Sequence, residues 1–369
     1  MTVSGPKVRD FTDKQRSLSV TVESDAVYEV LLALFVFHGE TEHDQYEVGS
    51  ELALAVQDGA DEQLIADIKA MGSWAELGLP LIGVAHDLPT PRTVAGLVAE
   101  IRQMDPAVLR SMLMACCGVK PSHGHDTATI ERAAQGDTNA VRELFESLPH
   151  TSDIGAVLER EPEQMREDIA SVIERFGAAV GPYLAERQAV LDRDAAATVA
   201  LAKTMSPDRL VEKVTNGITF EMQPQVSGVL LIPSVAIRPW VVISEHKTLR
   251  VFCYSVADEH LDADPDAPPA YLVNTLKALG DERRLRILGI LAEGDLGLKE
   301  LAERVDLAKS TAHHHMGILR RAGLVRVIIG RDDQRYSLRD DAVPETGRLL
   351  ETFLAARPVA EKDPREDKQ

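Results

Sequence analysis

The stretch from Leu307 to Leu324, Leu-Ala-Lys-Ser-Thr-Ala-His-His-His-Met-Gly-Ile-Leu-Arg-Arg-Ala-Gly-Leu, constrains this chain more than any other. On a helical wheel centred on Ala312, Met316 and Leu319 fall within about 40° of it, while Ser310, His314, Gly317 and Arg321 fall roughly opposite. One face packs, and the other points outward with hydroxyl, imidazole and guanidinium groups. The stretch holds no Asp or Glu, in a chain of formal net charge -19. An acid-free helix in so acidic a protein is aimed at an anion.

Its flanks fit a DNA reader. Residues 298–305 predict a short amphipathic helix with Leu298, Leu301 and Val305 inward, and the turn Asp306-Leu307 follows, which is helix-turn-helix spacing. Gly323 sits where a helix-ending glycine belongs. Beyond it, 324–329 and 335–338 predict two strands around the polar turn Gly330-Arg331-Asp332-Asp333-Gln334, a hairpin that completes a winged helix.

Five segments taken together, Leu276 to Leu288, Leu301 to Val305, Lys309 to Met316, Leu319 to Val325 and Tyr336 to Leu338, resemble the ArsR family of bacterial winged-helix regulators. The likeness runs from about Tyr271 to Asp340, about a fifth of the chain. It implies a DNA-binding transcription regulator, usually a dimeric repressor whose grip on its operator changes with a ligand. This chain departs from the family pattern in three ways. Gly297 and Lys299 stand where metal-sensing members carry a Cys-x-Cys, and residues 344–357 lack the His of other metal-binding members, so no metal site is expected. Ala308 replaces a common Ser cap, a loss of about 0.5–2 kcal/mol unless a DNA phosphate satisfies the first amides. Some 265 residues precede the winged helix, far more than is typical of the family.

On this reading Ser310, Thr311, His313 and His314 lie nearest the base edges, and Lys309, Arg320 and Arg321 are available to phosphates or guanine. His315 lies nearer the core side. Arg331 and Arg335, close to the hairpin tip, reach the minor groove or its phosphates. Leu272, Leu276 and Leu279 form one apolar stripe, and Leu349, Leu350, Phe353 and Leu354 another. A domain of about 70 residues has too little core to hide both, and in the family such helices pair across a two-fold axis, so a homodimer is expected.

Net charge alone argues against nucleic acid, but residues 270–340 hold 13 Lys and Arg against 10 Asp and Glu, leaving 27 against 49 elsewhere. The acidity belongs to the rest of the protein, which DNA repels. No run reaches the ~18 apolar residues of a membrane span and no secretory h-region opens the chain, so a cytoplasmic protein without membrane contact is expected. Cys116, Cys117 and Cys253 make no zinc spacing and are expected to be reduced.

The overall class predicted is mainly α (α+β): a helical N-terminal domain with a small antiparallel sheet, then a C-terminal winged helix-turn-helix. Ser17 to Glu23 alternates as a strand, with Ser24 and Asp25 as caps for a helix from Ala26 to Phe37. From Leu52 to about Arg209 nearly everything reads as helix, broken at Gly72, Pro80, Pro89 to Pro91, Pro106, Pro121, Pro149 and Pro182, with 183–203 among the longest. Residues 217–256 predict three or four antiparallel strands joined by the strand at 17–23, with Pro233 and Pro239 confined to bulges or edges. The expected units are residues 1–257, an Asp/Pro-rich linker 258–269, the winged helix 270–342, a terminal helix 343–357 and a disordered tail 358–369.

His123 and His125 beside Cys116 and Cys117 suggest a metal or haem site, but Pro121 and Gly124 mark a surface loop and the spacing fits no zinc pattern. Nor can His313, His314 and His315 share one ion, because helical neighbours point 100° apart. Nucleophile elbows, P-loops and dinucleotide fingerprints are missing, so neither catalytic residues nor a cofactor are expected. The first reading is therefore a dimeric repressor that binds double-stranded operator DNA and is released by a small-molecule or protein signal acting on the N-terminal domain. The alternative is an enzyme or protein-interaction module whose winged helix serves as a protein adaptor; such an adaptor has no need of a basic, hydroxyl-bearing helix face or of wing arginines.

Overall fold

A helix that is apolar on every side has to be surrounded. Apart from the buried Glu29, Ala26–His38 is such a helix, with Val27, Tyr28, Leu31, Leu32, Leu34 and Val36 all buried. The computed structural model describes residues 18–38, 46–146, 148, 154–220, 225–261, 268, 270–329, 334–339 and 342–355, and in it this helix runs through the middle of a mostly helical body. Around it pack Gly49–Gly59, Trp74–Asp87, Val94–Gln103 and the 24-residue helix Pro162–Ala185. Ser24 and Asp25 bind other elements, the hydroxyl donating to Asp192 at 2.8 Å and the carboxylate accepting from the Arg92 amide at 3.0 Å. Among the described residues no helix is long and apolar enough to cross a membrane.

Two expected breaks are not breaks. Pro80 lies inside Trp74–Asp87 and Pro182 inside Pro162–Ala185, while the chain turns instead at 186–187, so the helix expected over 183–203 is the end of one helix and Gln188–Ala202. A proline in a helix interior costs about 3 kcal/mol. Here the turns beside each proline bury Leu77 and Leu81, or Val180 and Leu184, and that packing keeps the helices continuous.

The body's sheet contains β1 (Ser19–Val22), β3 (Gly228–Ser234), β4 (Val242–His246) and β5 (Leu249–Ser255), in the order β1-β3-β5-β4. The sheet is mixed, not antiparallel: β1, β3 and β5 run parallel, and only β4 opposes its neighbour β5. The helical body forms the crossover between β1 and β3, and such a connection suits a parallel pair. Every residue of β3 is buried, as a strand covered on both faces requires. Pro233 is in this central strand. Its missing N–H costs no bond because it faces the β1 side, where pairing ends at Val22 opposite Leu231.

The remaining strands form a second sheet, β2 (Ile218–Phe220), β6 (Leu296–Gly297), β7 (Val325–Ile329) and β8 (Gln334–Leu338), in the order β2-β7-β8-β6. β7 and β8 are the antiparallel wing strands. Leu298–Arg304 and Lys309–Arg321 are the helix-turn-helix, with Leu301, Ala312, Met316 and Leu319 in its core and Leu298 and Val305 packed against it. β2 comes from the segment expected to join the body's sheet. It instead pairs in parallel with β7, Ile218 opposite Val327 and Phe220 opposite Ile329, and the Val327 amide donates to the Gly217 carbonyl at 2.8 Å. Arg326 then meets Glu212 at 2.6 Å and Arg339 meets Asn216 at 2.6 Å. The body thus supplies the edge strand of the winged helix. Gly330, Arg331, Asp332 and Asp333 of the expected wing turn, most of the expected linker and the expected tail lie outside the described residues.

Gly323 ends the second helix at φ +64, and a Cβ placed there would lie 2.3 Å from the Asn216 side chain. Gly323→Ala adds left-handed strain to that clash and is expected to lower stability by about 1–3 kcal/mol. Urea unfolding followed by far-ultraviolet circular dichroism measures it; an unchanged midpoint would show that the 216–323 contact bears no load.

Candidate nucleic-acid interface

The second helix of the motif begins without a side-chain cap. Ala308 is extended and exposed, and among the described residues no side-chain cap bond reaches the first amides of Lys309–Arg321. Those amides and the positive end of the helix dipole face outward, an arrangement that favours an anion. Lys309, Ser310, His313 and His314 are exposed, and Thr311 is half-buried. The opposite face is Ala312, His315, Met316 and Leu319, all buried. Helical spacing alone brings the four exposed groups to one side of the first two turns.

His315 is on the inner face beside His314, their rings 5.9 Å apart and edge to face. Its Nδ1 has no hydrogen-bond partner among the described residues. Desolvation pushes its pKa below the usual imidazole value, Asp281 opposes the shift, and Arg284, His314 and Arg283 reinforce it. His315 is therefore a neutral packing residue.

Arg320 and Arg321 do not share the outward face. Both are half-buried, and each guanidinium carbon lies 4.9 Å from the ring centre of Trp240, a residue of the body. Cation–π contacts of this kind are worth about 0.5–2 kcal/mol each. Burial lowers both pKa values, and Tyr336 opposes the shift at Arg320; a guanidinium stays charged all the same. Arg335, on β8, is exposed and donates to the Asp295 carbonyl at 2.6 Å, tying the wing to the start of β6. No linear signal in the sequence links Trp240, Glu212 or Asn216 to the winged helix, because they precede the residues they touch there by some 80 to 120 positions.

Of the expected dimer residues, Leu272 is fully buried within its own chain, and Leu279 packs against the winged-helix core. Leu349, Leu350 and Phe353 are half-buried. Leu276 is 42% exposed and Leu354 59%, joined by Leu285 and Val343. The helices Ala270–Leu279 and Ala342–Ala355 pack on each other and carry Leu276, Val343 and Leu354, while Leu285 lies on Glu282–Leu291. In the body, His123 closes its own loop by bonding the Gly118 carbonyl at 2.9 Å, Cys116 is exposed and Cys117 is buried. Among the described residues no group of three His, Cys, Asp or Glu side chains is placed to hold a metal ion.

A family model described as a helix-turn-helix domain matches residues 279–328. The transcriptional activator HlyU of Vibrio cholerae is 45% identical over 81 residues, which are 22% of this chain and 75% of that protein. The CadC homolog of Staphylococcus aureus, a cadmium resistance transcriptional regulatory protein, is 30% identical over 93 residues, 25% of this chain and 75% of the relative. The solved structure of reduced HlyU from Vibrio cholerae shares 33% identity and covers 23% of this chain and 90% of that one, with a TM-score of 0.19. These similarities lie in the C-terminal region.

The His315 shift has a consequence for stability. A folded-state pKa below the unfolded value means that the unfolded chain binds more protons, so stability is lost as pH falls through the unfolded pKa, about 6.5. The unfolding midpoint should therefore drop between about pH 7 and about pH 5. His315→Gln should reduce that drop; an unaltered pH profile would show that His315 titrates as an exposed histidine.

Proposed function

Because its C-terminal region makes this chain a member of the ArsR family of winged helix-turn-helix transcription regulators, we propose that it is a cytoplasmic homodimer that reads operator DNA in the major groove and represses transcription until a signal reaches its N-terminal body. The observation that carries this reading is the uncapped, acid-free face of Lys309–Arg321, where Lys309, Ser310, His313 and His314 stand exposed around free amides. A phosphate at that helix start satisfies the amides Ala308 leaves open, while hydroxyls and imidazoles one turn on meet base edges. Arg335 of the wing adds a backbone contact. Lys309 is available to a phosphate or to guanine, and specificity rests chiefly on Ser310, Thr311, His313 and His314.

The exposed Leu276 and Leu354 support a two-fold pairing through the first and last helices of the winged region. Repression is supported by the resemblance to dimeric repressors, while the likeness to a protein named as an activator makes the sign of regulation a separate experiment. A reporter fused to the operator decides it: removing the protein should raise transcription, and a fall would assign activation. A small-molecule or protein signal acting on the body fits the length of that domain and its packing against the wing. By linkage, an effector that weakens DNA binding binds less tightly to the DNA-bound protein.

DNA that co-purifies with the protein supplies the operator by sequencing. Ser310→Ala with His314→Ala should abolish preference for that operator while the thermal midpoint stays within a degree or so, since both side chains are exposed. Retained operator preference in the folded double variant would sink the assignment. Light scattering should give twice the chain mass at micromolar concentration, and Leu276→Asp with Leu354→Asp should halve it.

A further inference from the structure

Resting on the reading that Lys309–Arg321 meets DNA, we infer that Trp240 is a clasp that withholds Arg320 and Arg321 from the phosphates, so the body sets how strongly the winged helix binds DNA of any sequence. The recognition helix contains three Lys or Arg, at 309, 320 and 321. Two of the three lie against one indole ring of the body, each 4.9 Å from its centre. An aromatic face suits this purpose better than a carboxylate, because it covers the guanidinium groups without neutralising them and gives them up without leaving an acid beside DNA.

The segment that presents Trp240 is built as part of a larger unit. The chain between β3 and β4 is held at its start by the buried Glu29, whose carboxylate accepts from the amides of Val235 and Ala236 at 2.9 and 2.8 Å. Arg238, two residues before Trp240, bonds Glu47 at 2.9 Å and also Asp258, and Asp258 in turn accepts from the Tyr271 amide at 2.5 Å. The Trp240 amide donates to the Ile237 carbonyl at 2.7 Å, and its own carbonyl accepts from Ser255 at 2.9 Å. Body helices, the Trp240 turn and the first helix of the winged region therefore share one bonded chain. A shift of Glu29 or Glu47 within the body moves the clasp, and the arginines respond without any change in the base-reading residues.

Each phosphate contact adds about 0.9 to the slope of log affinity against log salt, so releasing both arginines adds about 1.8, or about a tenfold greater loss of affinity across a fourfold rise in salt. The probe is a mixed-sequence DNA duplex, with affinity measured by fluorescence anisotropy at several salt concentrations. Trp240→Leu, which keeps apolar bulk and removes the π face, should steepen the slope by up to about 1.8 and tighten binding at low salt. Adding Arg320→Ala and Arg321→Ala to that variant should return the parent slope, and the arginine pair replaced in the parent protein should leave the slope unchanged. A slope that falls by about 1.8 when the pair is replaced in the parent would show that the arginines already touch phosphate and overturn the inference. So would a folded Trp240→Leu variant with the parent slope; if that variant does not fold, the arginine pair in the parent decides. A parent protein that binds no duplex at any salt overturns the DNA reading itself, and this inference with it.

Discussion

The pairing of β2 with β7 is the interaction on which the arrangement depends. A winged helix ends its sheet in an exposed strand, and an exposed strand edge invites pairing with other chains. Here three residues, Ile218–Phe220, occupy the β7 edge, and the turn before them fixes their approach: Asn216 and Gly217 both have positive φ. The ladder joins residues more than 100 positions apart in a parallel sense, so closing it costs the entropy of a long loop. Once closed, it makes body and winged helix share a sheet, and motion between them requires breaking backbone hydrogen bonds.

Around that ladder the charge pattern is selective. The residues outside 270–340 hold 49 acids against 27 bases, a field that repels DNA over most of the surface. Among the described residues one carboxylate of the body, Glu212, is paired with a wing base, Arg326 on β7, while Arg339 bonds the neutral Asn216 of the body and pairs with Glu345 of its own region. Trp240 covers the two recognition-helix arginines. At Trp240 the contact surface therefore holds two positive charges in place without cancelling them, and Lys309, Ser310, His313 and His314 remain exposed.

The connection between the two halves is equally specific. Asp194, almost fully buried, accepts from the Tyr254 hydroxyl at 2.7 Å and the Ala257 amide at 2.8 Å, and meets His260 at 2.8 Å. It thereby pins the chain as β5 ends. Asp258 then reaches both Arg238 and the Tyr271 amide. Buried polar groups of this kind fix geometry more than they add stability, because each bond replaces one made to water.

The sequence by itself determined the winged helix: the period of Ala312, Met316 and Leu319, the glycine at 323 and the alternation around the wing are local patterns, and local sterics and burial dictate their outcome. It also determined the outward histidine and hydroxyl face and the inward His315, since both follow from helical angles. Tertiary structure alone decided the rest. A short strand such as 218–220 pairs with whichever edge the fold brings to it, so its period could not tell the body's sheet from the wing's. The parallel pairing of β1 with β3 depends on a crossover of some 200 residues that no local spacing encodes, and that of β3 with β5 on a short connection that places β4 on the far edge. Arg320 and Arg321 looked free because helical angles say where a side chain points but not what another domain places there, and what waits there is Trp240.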